Sequence, residues 1–206
     1  MKQVRGWWLP DSDTHFEHYF NAMQTSEYQA VVRNLALAAC KERRLAVDVG
    51  GHIGLWSRPL AMKFEHVIAF EPEPSNHALF KRNVPDKVAL EPVALGAELG
   101  MMSVHVPQDN TGMAHLVEGD AVPVVLLDSY AFENVDFIKI DCEGYEYPVV
   151  RGAEQTLRKN NPVVVVEQKA HPYFADKWKP TAAKEFLESL GYKAVACINH
   201  DWIMKK

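Results

Sequence analysis

Three stretches of the chain set acids and glycines directly behind short apolar runs, where a strand can hand functional groups to a ligand. The first, DVGGHIGLW at residues 48–56, follows the apolar LAV and places Gly50, Gly51, His52 and Gly54 behind Asp48. The second is the acid Glu71, with Pro72 after it, ending the apolar VIAF. The third, IKIDCEGYE at 138–146, carries Asp141, Glu143 and Glu146. A glycine-rich turn between a strand and a helix lets a ligand approach the backbone, and that ligand often bears phosphates. Here Asp48 would repel a pyrophosphate, and the glycines do not fall in the G-x-G-x-x-G spacing of a dinucleotide site. The D-x-G-x-x-x-G spacing of Asp48, Gly50 and Gly54 suits a positively charged ligand instead, such as the ammonium and sulfonium of S-adenosylmethionine. An acid at the position of Glu71 accepts hydrogen bonds from both hydroxyls of a ribose, which suits either class of adenosine cofactor.

The third stretch supplies candidates for the chemistry itself. In open α/β sheets ligands sit beyond the carboxyl ends of the strands, so Asp141 faces the same crevice as the glycine loop. Glu146 falls in the first turn of a following helix, where the helix dipole stabilises a negative charge by about 0.3–1 kcal/mol. For a general base in this crevice, Asp141 is the first candidate and His171, in EQKAHPYF, the second. Lys139 shares a strand face with Asp141 under a period of two and either pairs with it or contacts substrate. Glu143 and His115 are candidates for the acceptor pocket, and His15 reaches the same cleft if the N-terminal segment folds over it. The set Asp141, Glu143, Glu167 and His171 lacks the spacing of a metal site, so no metal is expected.

Alternating patterns supply the elements that position these groups. LAVDV, VIAF, KVALEPVAL, VDFIKID and PVVVVEQ read as strands, and MMSVHVP and VPVVLLDSY as further strands or edge extensions around a polar loop, QDNTGMAHLVEGD. A helix from about Ser26 puts Val31, Val32, Leu35, Ala38 and Ala39 on one face. LWSRPLAMKF is a helix with Pro59 in its first turn, SNHALFKRNV a helix opened by Ser75, PVVRGAEQTLRKN a single helix, and TAAKEFLESL a helix closed by Gly191. The tail turns at NHD into an antiparallel hairpin. Together these predict an α/β fold, a mostly parallel sheet with helices on both faces and the antiparallel hairpin at its edge, which resembles the seven-stranded class I methyltransferase (Rossmann-like) fold. One domain is expected over 1–206, with 1–44 as an accessory or lid segment and 45–206 as the core. The aromatics Trp7, Trp8, Phe16, Tyr19 and Phe20 suggest a packed lid or a homodimer contact, with stacking of the WW pair on a ring as the alternative.

VDVGGHIGLWS, VIAFEPEPSNHALFKRNV, LDSY, VDFIKIDCEGYEYPVVRGAEQTL and PVVVVE, taken in order over residues 45–168, resemble the successive blocks of FkbM-type methyltransferases. The resemblance implies an S-adenosylmethionine-dependent enzyme that methylates a hydroxyl of a sugar, glycan or small metabolite. N-methylation, a nucleotide- or NAD-dependent enzyme and a non-catalytic adenosine-binding module of the same fold are the alternatives. With 206 residues, 48% hydrophobic and 24% charged, the chain has an ordinary globular composition, and its formal charge of −5 argues against a general affinity for nucleic acid, so none is expected as a partner. Its three cysteines, Cys40, Cys142 and Cys197, form no C-x-x-C pair, which fits a reducing compartment. No apolar leader and no span of ~20 apolar residues stands out, so no membrane association and a cytoplasmic location are expected.

Overall fold

Strand alternation divides the apolar residues between two faces of one sheet. In this computed structural model, which describes residues 1–108 and 110–206, β3 (Leu45–Val49), β4 (His66–Phe70), β5 (Val88–Glu91), β9 (Val135–Ile140), β10 (Val163–Glu167), β11 (Lys193–Ile198) and β12 (Asp201–Lys205) pair in the order β11-β12-β10-β9-β3-β4-β5. Only β12 runs against its neighbours; β10, β9, β3, β4 and β5 are mutually parallel. Ala46, Phe137, Val163, Val165 and Ile203 point to one layer, packed against α2 (Ala30–Ala39), α3 (Ser57–Ala61) and α4 (Pro74–Asn83). Val47, Val49, Ile138, Ile140, Val164 and Val166 point to the other, under α5 (Glu146–Arg151), α6 (Glu154–Asn160) and α7 (Ala182–Ser189). Strands apolar on both faces are what a doubly covered parallel sheet requires. Among the described residues no helix is long and apolar enough to cross a membrane.

Several local expectations are corrected. KVALEPVAL is not one strand: Pro92 follows β5, and Ala94–Leu95 (β6) leaves for a second, three-stranded sheet with β7 (Gly100–His105) and β8 (His115–Val125). Residues 115–120, expected in a loop, begin β8; the expected loop also includes Asp109, which lies outside the described residues. α2 starts at Ala30 because Gln29 is left-handed (φ 47°). Its buried stripe is Val32, Arg33, Ala36 and Leu37, while Val31 and Leu35 are exposed. Arg33 can face inward because it pairs with Glu27 and donates to the Tyr28 carbonyl at 2.7 Å. Glu73, not Ser75, caps α4, accepting from the Ser75 amide. The expected single helix at 148–160 breaks at Gly152, where a Cβ would lie 1.9 Å from the Gly96 carbonyl oxygen.

The N-terminal segment forms a hairpin, β1 (Lys2–Val4) and β2 (Trp7–Leu9), and a helix, α1 (His15–Ala22). Trp7, Leu9, Phe16 and Phe20 bury themselves against Ile53, Leu55 and Leu79. The segment is thus fixed to the glycine loop and to α4.

Candidate functional site

The loop after β3 is shaped by contacts that exclude side chains. The amides of Gly50 and Gly51 both donate to the Phe70 carbonyl at 3.0 Å. Gly50 has φ 81°, and a Cβ there would lie 1.9 Å from the backbone oxygen of Asp141. Only glycine lets the ends of β3 and β9 approach this closely. His52, itself left-handed at φ 48°, donates its amide to Glu71 Oε2 at 2.7 Å.

Beyond this loop lies a cleft whose open space, solvent at its mouth included, is about 590 Å³. Gly50, His52, Glu71, Pro72, Asp141 and Glu143 form one side of it. Val93, Ala94, Leu95 and Leu116, partly from the second sheet, give an apolar wall, with Tyr145 beside them. Glu71 Oε1 also accepts from the Glu73 amide at 2.9 Å and from Asn76 Nδ2 at 3.3 Å. Thr111, Asn76, Tyr145 and the 93–95 wall were not singled out by sequence; the small sheet that carries much of this wall has no motif of its own.

A second cavity, about 850 Å³, continues past Gly50, His52, Asp141 and Glu143. His15, Phe16, Tyr28 and Trp56 wall it, and Glu167 and Lys169 lie at its edge. Carboxylate oxygens of Asp141, Glu143 and Glu167 come within 4.8 Å of one another. Lys169 joins the last two, at 3.0 Å from Glu143 and 3.4 Å from Glu167. Burial and the negative charge of Asp141 push Glu143 up, and the same causes push Glu167 up to about 8. Burial also acts on Asp141, but the charge and hydrogen bond of Lys139, 2.9 Å away, outweigh it and hold Asp141 below the usual carboxylate range.

A sequence profile of the methyltransferase FkbM domain matches residues 48–194. The chain belongs to the FkbM methyltransferase family. A relative named Methyltransferase 1, from Beauveria bassiana (strain ARSEF 2860), is 25% identical over 228 residues, covering 91% of this chain and 89% of its own. The solved structure of the methyltransferase FkbM from Methylobacillus flagellatus KT aligns with a TM-score of 0.49 at 19% identity over 79% of this chain; this chain spans 43% of that one. The precorrin 8w decarboxylase of Methanobacterium thermoautotrophicum aligns with a TM-score of 0.54 at 16% identity, over 99% of this chain and 93% of its own. With its reversed β12, the FkbM chain has the class I methyltransferase fold.

Within this FkbM chain, the structure brings Gly50, Gly51, His52, Glu71, Pro72, His115, Asp141 and Glu143 to the two cavities, with His15 as well. It does not bring Asp48, Gly54, Lys139 or His171 there; Gly54, at φ 95°, packs instead against Val84, where a Cβ would lie 2.1 Å from Cγ2. Asp48 shares the face of Ala46, is almost fully buried, and accepts from Ser57 Oγ at 2.5 Å, so it ties β3 to α3 and lines neither cavity. Lys139 is equally buried, between Asp141 and Asp201 (3.4 Å) and over the Trp56 ring, so of its two expected roles the structure shows the pairing with Asp141 and no place for a substrate contact. His171 lines a separate recess with Gly144, Phe174 and Trp178, and its ring lies 4.3 Å from that of His115. Glu146 does more than meet the helix dipole: it accepts from the amides of Cys142 (2.9 Å) and Gly144 (3.0 Å) and so folds the turn. The WW pair does not stack over the cavities; Trp7 lies against Phe20 and under Arg58, and Trp8 under Arg82.

The buried acids make a pH prediction. Burial pushes Asp48, Glu71 and Glu146 up to about 7, and Glu167 higher. Between pH ~4 and ~7 the folded chain therefore holds protons that the unfolded chain has released, and stability falls as pH rises through that window. Asp141 and His52 act in the opposite direction, losing their contribution on acidification, but they are outnumbered by the raised acids. The unliganded protein should melt at its highest temperature near pH 5 and progressively lower towards pH 8 in a scanning-calorimetry series. A midpoint that rises from pH 5 to 8 would contradict the protonation of these acids.

Proposed function

We propose that the protein is an S-adenosylmethionine-dependent O-methyltransferase acting on a hydroxyl of a small metabolite or a sugar residue. The observation that carries this reading is the junction of two cavities at Gly50, His52, Asp141 and Glu143, one suited to an adenosine ligand and the other walled by aromatics and acids. The first fits the donor: Glu71 accepts three hydrogen bonds and keeps acceptor capacity for a ribose hydroxyl, and Val93, Leu95 and Leu116 suit the flat face of an adenine. When bound, the donor supplies an electrophilic methyl carbon on a sulfonium. The chain must then hold the acceptor oxygen in line and remove its proton. Asp141 is the weaker base, because Lys139 stabilises its charge. Glu143 and Glu167, made more basic by burial and by Asp141, are the proton acceptors of this reading. Phe16, Tyr28 and Trp56 suit the C–H faces of a ring. His15, Phe16 and Tyr28 lie before residue 48, outside the matched domain, so the acceptor cavity is partly built by this chain's own N-terminal segment.

Calorimetric titration with S-adenosylhomocysteine, beside NADH, tests the donor site. The thioether should bind at micromolar concentration and NADH should not. Glu71→Ala should weaken binding by about 10- to 100-fold, the size of a lost charged hydrogen bond of about 1.5–3 kcal/mol. NADH binding in place of the thioether would overturn the assignment.

A further inference from the structure

The hydrogen bonds around His52 fix which of its nitrogens carries the proton. Asp13, fully buried, accepts from the Phe16 amide at 3.0 Å through Oδ1, and from the Thr111 amide at 3.2 Å and the Thr111 hydroxyl at 2.7 Å through Oδ2. A hydroxyl has one proton to give, and Thr111 gives it to Asp13. The contact between Thr111 Oγ1 and His52 Nε2, 2.9 Å, must therefore be donated by the imidazole. A neutral ring protonated on Nε2 leaves its lone pair on Nδ1. That atom is buried and has no hydrogen-bond partner among the described residues. A buried acceptor without a donor is costly, and native proteins rarely keep one without a reason.

We propose that His52 Nδ1 receives an O–H or N–H donor of the bound ligand, and that Asp13 and Thr111 are positioning residues that lock the ring in the tautomer able to do so. The proposal rests on the methyltransferase reading and draws on His52 being one of the residues that line both cavities. Two sources share this chemistry: the ammonium or hydroxyls of the methyl donor, and the hydroxyl that is methylated. The ring lies 5.3 Å from Phe16, which lines the second cavity, and this favours the hydroxyl of the methyl acceptor. Burial pushes the imidazole down to about 4, so it stays neutral at physiological pH and its lone pair remains available. Such a weak base orients a hydroxyl and leaves the removal of its proton to Glu143 and Glu167. Asp13 lies outside the matched FkbM domain, so this lock is a feature that the N-terminal segment adds to the site.

Long-range proton–nitrogen NMR of the full chain, labelled at histidine nitrogens, tests the proposal without a known acceptor. At pH 7 His52 should show a protonated Nε2 and a bare Nδ1. Thr111→Val, with its fold checked by circular dichroism, should lose the single tautomer and give averaged shifts. S-adenosylhomocysteine and methanol are the two probes. A change at Nδ1 on saturation with the thioether assigns the lone pair to the methyl donor; a change only when methanol is added to that complex assigns it to the acceptor hydroxyl. A proton on Nδ1, a Thr111→Val spectrum identical to that of the wild type, or an Nδ1 signal indifferent to both probes would overturn the proposal. Failure of the thioether to bind while methanol still moves Nδ1 would instead remove the donor assignment and leave the acceptor contact standing.

Discussion

Gly50→Ala is expected to abolish thioether binding and to destabilise the protein by more than about 3 kcal/mol, at the large end of single-site effects. Two costs combine. The residue sits at φ 81°, where an L side chain is disfavoured by roughly 1–2 kcal/mol. The new methyl would also lie 1.9 Å from the Asp141 carbonyl oxygen and 3.0 Å from its carbon. Both are backbone atoms, so no rotamer change relieves the clash. Asp141 is in addition tied to β3 by its amide, which donates to the Val49 carbonyl at 3.1 Å, so the strand ends can separate only by breaking that bond. The melting midpoint should fall by about 6–12 °C for a chain of this size. Gly100→Ala is the matched control, because its Cβ would meet nothing within 4 Å, and it should change stability by no more than about 0.5 kcal/mol. If Gly50→Ala melts and binds like the wild type, the close approach of β3 and β9 is wrong.

What could be seen in the sequence was whatever depends on local pattern. The strands VIAF and PVVVVEQ, the loop after LAVDV and the terminal hairpin all carry their own signals, and the structure puts them at the expected places. Local pattern is silent where a side chain's direction or partner is set by distant residues. Asp48 bears a charge at the end of an apolar strand and looks ready for a ligand, yet period-two alternation turns it towards the α2–α3 layer, where Ser57 meets it; the same alternation makes the pairing of Lys139 with Asp141 legible but not that with Asp201. The stripe of α2 was misplaced because a buried Arg33 makes sense only once Glu27 is beside it. The convergence of Glu143, Glu167 and Lys169 spans two strands and has no spacing rule. The lock of Asp13, Thr111 and His52 joins positions 98 and 59 residues apart, beyond any motif.

Removing the buried ammonium should produce the second large effect, and one with a distinctive pH dependence. Lys139→Met keeps the bulk of the side chain but leaves Asp141 and Asp201 without their shared cation. Breaking a buried ion pair in this way costs about 3–5 kcal/mol, more than the net worth of the pair, because the abandoned carboxylates stay desolvated. The variant can lower that cost by taking up protons. Burial already raises Asp201 in the wild type, and without Lys139 it raises Asp141 as well, since the opposing charge is gone. The folded variant then binds protons that its unfolded chain releases above pH ~4, so its stability must fall more steeply with pH than that of the wild type. The deficit measured by chemical denaturation should therefore be smaller at pH 5 than at pH 8. A second change, Asp201→Asn, removes one of the two stranded charges and should recover part of the loss at pH 8 and little at pH 5. Equal deficits at both pH values would mean that the methionine fails through packing against Trp56 and not through the orphaned acids. Asp141 would then owe its low proton affinity to something other than Lys139, and the preference for Glu143 and Glu167 as bases would lose its footing.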